Sequence, residues 1–157
     1  MIDVLWQYIM IFLMAATPWF EILLVIPIGV GMGLEPFLVA LVSFAGNFLP
    51  ILLIVWLLNW FQTTAYYARY KKRREEKMTT KDTPSRGQRV FQKYGLPGLA
   101  ILGPLVTGIH LATVMALSLK VGKLSTTVWM GASLFIWTVG LTFASVYALE
   151  TVVRLFG

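Results

Sequence analysis

The chain has 157 residues, of which 58% are apolar and only 13% are charged, with a mean hydropathy of +0.76. This composition lies outside the range of soluble domains and predicts an all-α integral membrane protein. The sequence contains no cysteine, which excludes disulfide bonds, thiol catalysis and thiolate metal sites. The common catalytic motifs built on histidine pairs, serine or phosphate-binding glycines are also missing. We therefore expect neither an enzyme nor a bound cofactor or metal.

The net charge of +6 is concentrated in one segment. Between Arg69 and Lys93 there are ten Lys or Arg against three acidic residues. A basic patch can bind nucleic acid, but one between membrane segments is better explained by topology, since Lys and Arg accumulate in cytoplasmic loops. We predict a cytoplasmic loop over 62–93 and no nucleic-acid partner. Four consecutive basic residues there are also candidates for contact with anionic lipid headgroups: Lys71, Lys72, Arg73 and Arg74.

The first apolar segment, Val4 to Pro18, predicts an N-terminal helix that is retained, because it lacks the basic start of a secretory signal. The next segment, residues 19–33, is interrupted by Pro27 and then by three glycines. Its two pieces of about eight residues are too short to cross ~30 Å of hydrocarbon. This segment therefore predicts a re-entrant hairpin that enters and leaves the membrane on the same side.

Unbroken apolar runs follow the interrupted ones. Glu35-Pro36 predicts a helix start, and the run from Phe37 to Phe61 is long enough for a full span. In the second half, Leu96 to Leu119 is again apolar but broken by prolines and glycines, which predicts a second hairpin. The run from Leu124 to Leu149 then predicts another full span.

The two halves therefore share one order of elements, a broken apolar segment followed by an unbroken span. We predict a single membrane domain over 1–157, with repeat 1 at about 19–61 and repeat 2 at about 94–150. An offset of 89 residues between the halves superposes Glu21 on His110. Because the loop between the halves is predicted to be cytoplasmic, the two spans run in opposite directions. This predicts an inverted repeat, the arrangement of secondary transporters with sites at the repeat interface.

Glu21 is the strongest candidate for a functional residue. A carboxylate near bilayer depth costs about 2.5 to 3.5 kcal/mol and rarely occurs there without a partner, a water-filled cavity or a function. Two interpretations are open. Glu21 takes up a proton or cation in a substrate site beside the Pro27 break, or it caps the helix that follows Pro18.

His110 is the only histidine of the chain and falls within the second broken segment. It is a candidate proton partner, because imidazole titrates near neutrality, or else a hydrogen-bonding group of the interior. Other candidate residues of a substrate or ion pathway flank the predicted breaks or lie on the first span: Pro27, Gly29, Asn47, Pro50, Pro104 and Gly108.

Small and polar residues line one face of the first predicted span. Ser43, Gly46, Asn47 and Pro50 recur at i, i+3, i+4 and i+7, which places them on the same side of a helix. Small residues allow two helices to approach closely, and an amide can hydrogen-bond across them. The two interpretations of this face are helix packing and pathway lining.

Several sequence motifs resemble one family. Glu21-Ile-Leu-Leu-Val-Ile-Pro-Ile-Gly29, followed by Gly46-Asn-Phe-Leu-Pro50, resembles the first half of the putative small multi-drug export protein family. Lys93-Tyr-Gly-Leu-Pro-Gly-Leu-Ala100 and Gly103-Pro-Leu105 look like its second half. This family is similar to the DedA superfamily. The resemblance implies two re-entrant hairpins and a role in moving small molecules or lipids across a membrane.

The chain departs from the family motifs at two positions. Leu23 stands where the family carries arginine. The expected pairing of an acidic and a basic residue on one hairpin is therefore missing, and Glu21 needs a partner elsewhere. His110 stands near the family's tryptophan.

We therefore expect a small transporter of the inner or plasma membrane that works by alternating access, with Glu21 binding and releasing a proton or cationic group. Three spans and two hairpins are too few to enclose a pathway, which predicts a homodimer. The alternatives are a lipid flippase or scramblase of DedA type, and a non-transporting assembly or regulatory protein whose basic loop binds a partner or anionic lipid.

Overall fold

The computed structural model describes residues 2–17, 22–62 and 86–156, and every regular element in these ranges is an α-helix. The helices are α1 (Ile2–Ala16), α2 (Ile22–Gly31), α3 (Pro36–Gln62), α4 (Arg86–Val106), α5 (Ile109–Ser118) and α6 (Lys123–Phe156). The predicted all-α class is confirmed in the described part of the chain. Glu21 and the basic residues Lys71, Lys72, Arg73 and Arg74 lie outside the described residues.

Two of the described helices, α3 and α6, are long and apolar enough to cross a membrane, over Pro36–Leu57 and Lys123–Leu155. Only 33% and 17% of their most apolar stretches are buried inside the protein. Most of their large apolar side chains therefore face outward, as expected for helices in contact with lipid. The sequence predicts both helices, and α6 extends beyond its predicted end to Phe156.

The two long helices pack side by side in opposite directions. The rings of Phe44 and Phe135 meet edge to face, with centroids 6.3 Å apart. One turn later on α3, the Phe48 ring covers Gly131, where an added Cβ would come within 2.9 Å of its Cε2 atom. A residue later in α3 thus contacts a residue earlier in α6, so the two helices are antiparallel.

The helices of the two halves begin and end at corresponding positions. α5 starts and ends 87 residues after α2 starts and ends. α6 likewise starts 87 residues after α3 starts. The intervening turns use the same backbone hydrogen bonds: the N–H groups of Gly33 and Lys120 donate to the carbonyls three residues before them, at 3.0 and 3.1 Å. The sequence offset of 89, chosen on few identities, is therefore wrong by two residues. His110 corresponds to Leu23 and not to Glu21.

The predicted breaks at prolines are also wrong. α2 continues through Pro27 and α4 continues through Pro104, while Pro97 lies in the first helical turn after the Gly95 kink of α4. A proline inside a helix removes one backbone hydrogen bond and bends the helix, but neighbouring bonds can hold it together. The chain is interrupted at Gly95, where α4 kinks, and at Gly108, between α4 and α5, both with positive φ. Of these two interruptions the sequence predicted the one at Gly108.

Each short helix packs on the long helix of the other half. α2 contacts α6, and α5 contacts α3, while α1 packs along α3 and α4 along α6. The core between them consists of aliphatic side chains from all six helices, such as Ile11, Val25, Ile51, Ala112 and Leu134. This exchange of partners brings polar residues of both halves into one interior.

Candidate functional site

The described interior contains seven buried polar residues, namely Ser43, Asn47, His110, Thr113, Thr126, Ser133 and Thr138. Three of the hydroxyls are satisfied within their own helix: those of Thr113, Thr126 and Thr138 donate to the carbonyl four residues earlier, at 2.8 to 3.1 Å. Such bonds remove the cost of burying a hydroxyl without linking helices. These threonines are therefore structural in this arrangement.

Ser43 and Asn47 are different, because part of their hydrogen-bonding capacity is unused. The Asn47 side-chain amide donates to the Ser43 carbonyl at 3.1 Å. Among the described residues, neither the Ser43 Oγ atom nor the Asn47 Oδ1 atom has a hydrogen-bond partner, although both side chains are fully buried. A buried acceptor left unsatisfied costs about 1 to 3 kcal/mol. Such groups call for a water or a ligand to complete them.

His110 lies in the first turn of α5 and is 4% exposed. Because α5 packs on α3, His110 and Asn47 belong to neighbouring helices that come from opposite halves of the chain. The structure therefore places these two predicted pathway residues on adjoining interior elements. The relation of Glu21 to them stays a prediction, since Glu21 is outside the described residues.

Gly29 and Gly108 have structural roles. Gly29 is buried where α2 meets α3, and a Cβ added there would come within 2.7 Å of Val39 Cγ1. Gly108 has φ of +84° and forms the turn between α4 and α5, a conformation that favours glycine. Pro104 is buried one turn before it, so the turn is closely packed.

Pro27 and Pro50 lie away from the fully buried interior. Pro27 is exposed on α2 and borders an open depression against α6. Pro50 is half-buried on α3. Neither adds a polar group to the interior, although Pro50 leaves the Gly46 carbonyl without its helical N–H donor.

The face of α3 that carries Gly46 is a helix-packing surface. A Cβ added to Gly46 would lie 2.7 Å from the Phe12 carbonyl oxygen and 2.8 Å from Ala15 Cβ, both on α1. The packing interpretation is confirmed for this residue. On the corresponding side of the other half, the Ser133 hydroxyl donates to the Ala100 carbonyl of α4 at 2.7 Å.

Two grooves along the junction of α3 and α6 were not predicted from the sequence. The first, which we call the acidic groove, has a volume of about 660 Å³ and is lined by residues of 35–44 and 135–146. The second, the basic groove, has a volume of about 510 Å³ and is lined by Leu52, Val55, Trp56, Lys123, Leu124 and Thr127. In the sequence, the spacing of Phe44 and Phe48 places both rings on one face of a helix. The sequence does not show which helix packs against that face.

Glu35 and Lys123 supply the charges of these two grooves. The Glu35 carboxylate caps α3, since its oxygens accept hydrogen bonds from the backbone N–H groups of Phe37 at 3.1 Å and Leu38 at 2.6 Å. The Glu35 N–H donates to the Tyr8 hydroxyl at 3.2 Å, which ties α1 to the start of α3. Two lone pairs of the carboxylate remain available for a ligand.

Of the described titratable groups outside the apolar helical stretches, Lys93 has a perturbed pKa. A hydrogen bond with Tyr94, together with the charge interaction between the two side chains, raises the pKa of Lys93. The Lys93 ammonium also lies 5.0 Å from the centre of the Tyr94 ring. Both residues directly precede the Gly95 kink of α4.

No group of three or more His, Cys, Asp or Glu within the described ranges is arranged to hold a metal ion.

A family model described as "Putative small multi-drug export protein" matches residues 21–139. The matched stretch contains α2 to α5 and the first half of α6. No curated protein matches the chain. No solved structure matches it either.

Proposed function

Because the chain belongs to the putative small multi-drug export protein family, we propose that it is a small membrane transporter that exports small molecules or lipids by alternating access. The family description supports export across a membrane, and the apolar, outward-facing helices agree with a membrane protein. We place it as a multi-pass protein in the inner or plasma membrane, with the basic segment 62–93 on the cytoplasmic side. Residues 86–93 of this segment, predicted as loop, form the start of α4.

The observation that carries the proposal is the correspondence between the two halves. Two helices and the turn between them recur after 87 residues, and the long helices α3 and α6 run antiparallel. We interpret this as an inverted repeat, with α2 and α5 as parts of two re-entrant hairpins. A relation to the DedA superfamily belongs to the same proposal. In such an arrangement, the two halves exchange conformations to open a site alternately to each side.

The proposed site lies between the halves and includes Glu21, Asn47 and His110. The unsatisfied Asn47 oxygen and the buried imidazole support a polar pathway at this position. We assign proton or cation coupling to Glu21, because a carboxylate in an apolar segment is costly unless it binds something. A homodimer would enclose the pathway, which the three predicted spans and two hairpins of one chain are too few to surround.

Reconstitution tests the proposal. In proteoliposomes, a proton gradient should drive accumulation of at least one compound of a cationic and neutral dye panel, and Glu21→Gln should abolish it. Glu150→Gln, at an exposed carboxylate near the end of α6, is the matched control and should transport normally. Gradient-driven uptake that is unchanged in Glu21→Gln would refute the coupling role.

Orientation can be tested separately, because the chain has no cysteine of its own. Single cysteines placed at Gly31 and Ser118, both exposed, should react with a membrane-impermeant reagent from opposite sides. Labelling of both from one side would rule out the inverted repeat.

A lipid flippase or scramblase is the second candidate, favoured by the grooves on the outside of α3 and α6. It predicts movement of dye-labelled phospholipid between leaflets without a proton gradient. An assembly or regulatory role predicts neither activity. In that case neutralising Lys71, Lys72, Arg73 and Arg74 together should remove the function while Glu21→Gln preserves it.

A further inference from the structure

The acidic and basic grooves occupy equivalent positions in the two halves. Adding 87 to three of the five α3 positions that line the acidic groove, and to all three that line the basic groove, gives α6 positions that line the other groove. Pro36, Phe37 and Ala40 of the acidic groove correspond to Lys123, Leu124 and Thr127 of the basic groove. Leu52, Val55 and Trp56 of the basic groove correspond to Val139, Thr142 and Phe143 of the acidic groove. Since α3 and α6 are antiparallel, the two grooves lie toward opposite ends of the helix pair.

Aromatic side chains separate the two grooves. Phe44 stacks on Phe48 with ring centres 5.4 Å apart, and its other contact is the edge of Phe135 at 6.3 Å. Phe48 and Phe135 are equivalent positions, whereas Phe44 corresponds to Gly131. The extra ring of Phe44 therefore fills the junction of the helices and ends the acidic groove.

The acidic groove is almost entirely apolar apart from one carboxylate. The hydroxyls of Thr138 and Thr142 point back into α6, where they donate to the Leu134 and Thr138 carbonyls at 2.8 Å. Among the described residues, Glu35 is the only charged one that lines this groove. The volume of the acidic groove, about 660 Å³, falls within the range of small-molecule sites.

We propose that the acidic groove binds an amphiphilic organic cation, with its apolar body between α3 and α6 and its positive charge near Glu35. This proposal rests on the proposed export function, for which it names a substrate class and a binding position. An aromatic or alkyl body would lie against Phe44 and Phe135, and the exposed Glu35 carboxylate would attract the positive charge.

Charge complementarity favours this occupant over a neutral lipid tail or an anion. The equivalent end of the basic groove carries Lys123, so the two grooves differ in sign at matched positions. A cation should therefore prefer the acidic groove, and an anion of the same shape should not. An acyl chain of the bilayer would use the apolar walls and be indifferent to Glu35.

Two probes of nearly equal shape and opposite charge test the proposal. Equilibrium dialysis of the full-length protein in nanodiscs should show that tetraphenylphosphonium binds at least about fivefold more tightly than tetraphenylborate, after subtraction of protein-free nanodiscs. Glu35→Gln should remove most of that preference, whereas Lys123→Gln should not reduce tetraphenylphosphonium binding. Equal binding of both ions, unaffected by Glu35→Gln, would overturn the proposal and indicate an acyl-chain groove.

A second variant is needed because Glu35→Gln also changes the side chain that caps α3. Ala40→Phe fills the acidic groove and keeps Glu35, so it should also weaken tetraphenylphosphonium binding by about fivefold or more. Ala45→Phe, at an exposed position of α3 outside the groove, is its control and should bind as the wild type does. Unchanged binding in Ala40→Phe would overturn the assignment to this groove. Equilibrium binding requires no transport, so its failure is distinguishable from the failure of gradient-driven uptake.

Discussion

Gly33 and Lys120 adopt the same left-handed backbone conformation at the same position of two four-residue turns, with φ of +76° and +63°. Both turns end a short helix and lead into a long one. Glycine takes this conformation without strain, whereas a residue with a Cβ atom pays about 1 to 2 kcal/mol. The second turn therefore holds strain that the first turn does not.

Lys120→Gly should stabilise the protein by about 1 kcal/mol, because it removes this strain. The measurement is the free energy of unfolding during titration of bicelles with SDS, followed by circular dichroism. Lys120→Ala removes the same charge but keeps the Cβ atom, so it should give no comparable gain. Gly33→Ala should destabilise by about 1 kcal/mol. Equal stabilities of the two Lys120 variants would contradict the explanation.

Gly46→Ala should destabilise the protein by about 1 to 3 kcal/mol, because its methyl group would meet the Phe12 carbonyl at 2.7 Å and force α1 away from α3. The same SDS titration measures this loss. Gly31→Ala is the control: no atom lies within 4 Å of the added methyl, and its stability should be unchanged or slightly higher. A tolerated Gly46→Ala would mean that α1 is free to move along α3.

Ser133→Ala should cost about 1 kcal/mol, since it leaves the Ala100 carbonyl without the 2.7 Å hydrogen bond that joins α6 to α4. The neighbouring bond from the Trp137 indole to the Ile101 carbonyl, at 2.9 Å, stays in place. Ser118→Ala removes only a bond within α5 and should change the free energy of unfolding by less than about 0.5 kcal/mol. Equal losses in the two variants would show that the interhelical bond adds nothing.

Asn47→Ala should separate the two interpretations of the α3 face. We expect the rate of proton-driven transport to fall at least about tenfold while the free energy of unfolding changes by less than about 1 kcal/mol. The amide is already buried with an unsatisfied oxygen, so its removal relieves a penalty that offsets the lost contacts. Uptake into proteoliposomes and SDS titration provide the two measurements.

Thr126→Val is the matched control for Asn47, because its buried hydroxyl is satisfied by the Gly122 carbonyl of its own helix. It should transport at the wild-type rate. If Asn47→Ala were instead to unfold readily and transport normally per folded molecule, Asn47 would be a packing residue.

The errors of sequence interpretation concentrate at proline and glycine. The sequence predicts a break at Pro27, but α2 passes through it, because loss of one backbone hydrogen bond bends a helix without ending it. The chain is interrupted at Gly95, which the sequence did not predict, and at Gly108, which it did, each with positive φ. Composition shows where a chain can turn, and only the packing of the helices decides which of these positions does turn.

The residue-by-residue correspondence between the two halves depended on where the helices begin and end. The few identical residues in the two halves of the sequence do not show these boundaries. The sequence offset of 89 residues placed His110 on Glu21, whereas the turns place Lys120 on Gly33 and His110 on Leu23. A lysine and a glycine in the same conformation carry no sequence similarity. The correspondence between the two turns is one of backbone geometry, so the offset of 87 residues required the structure.

The sequence by itself determined the class of the protein, its family motifs, and the two long helices, because each follows from local hydropathy or from short linear patterns. Only the tertiary structure decided that α2 packs on α6 and α5 on α3, that Asn47 retains an unsatisfied oxygen, and that Glu35 and Lys123 line opposite grooves. The physical reason is that these features join residues far apart in the chain. Their packing depends on side-chain shape at the helix junctions, which hydropathy does not encode.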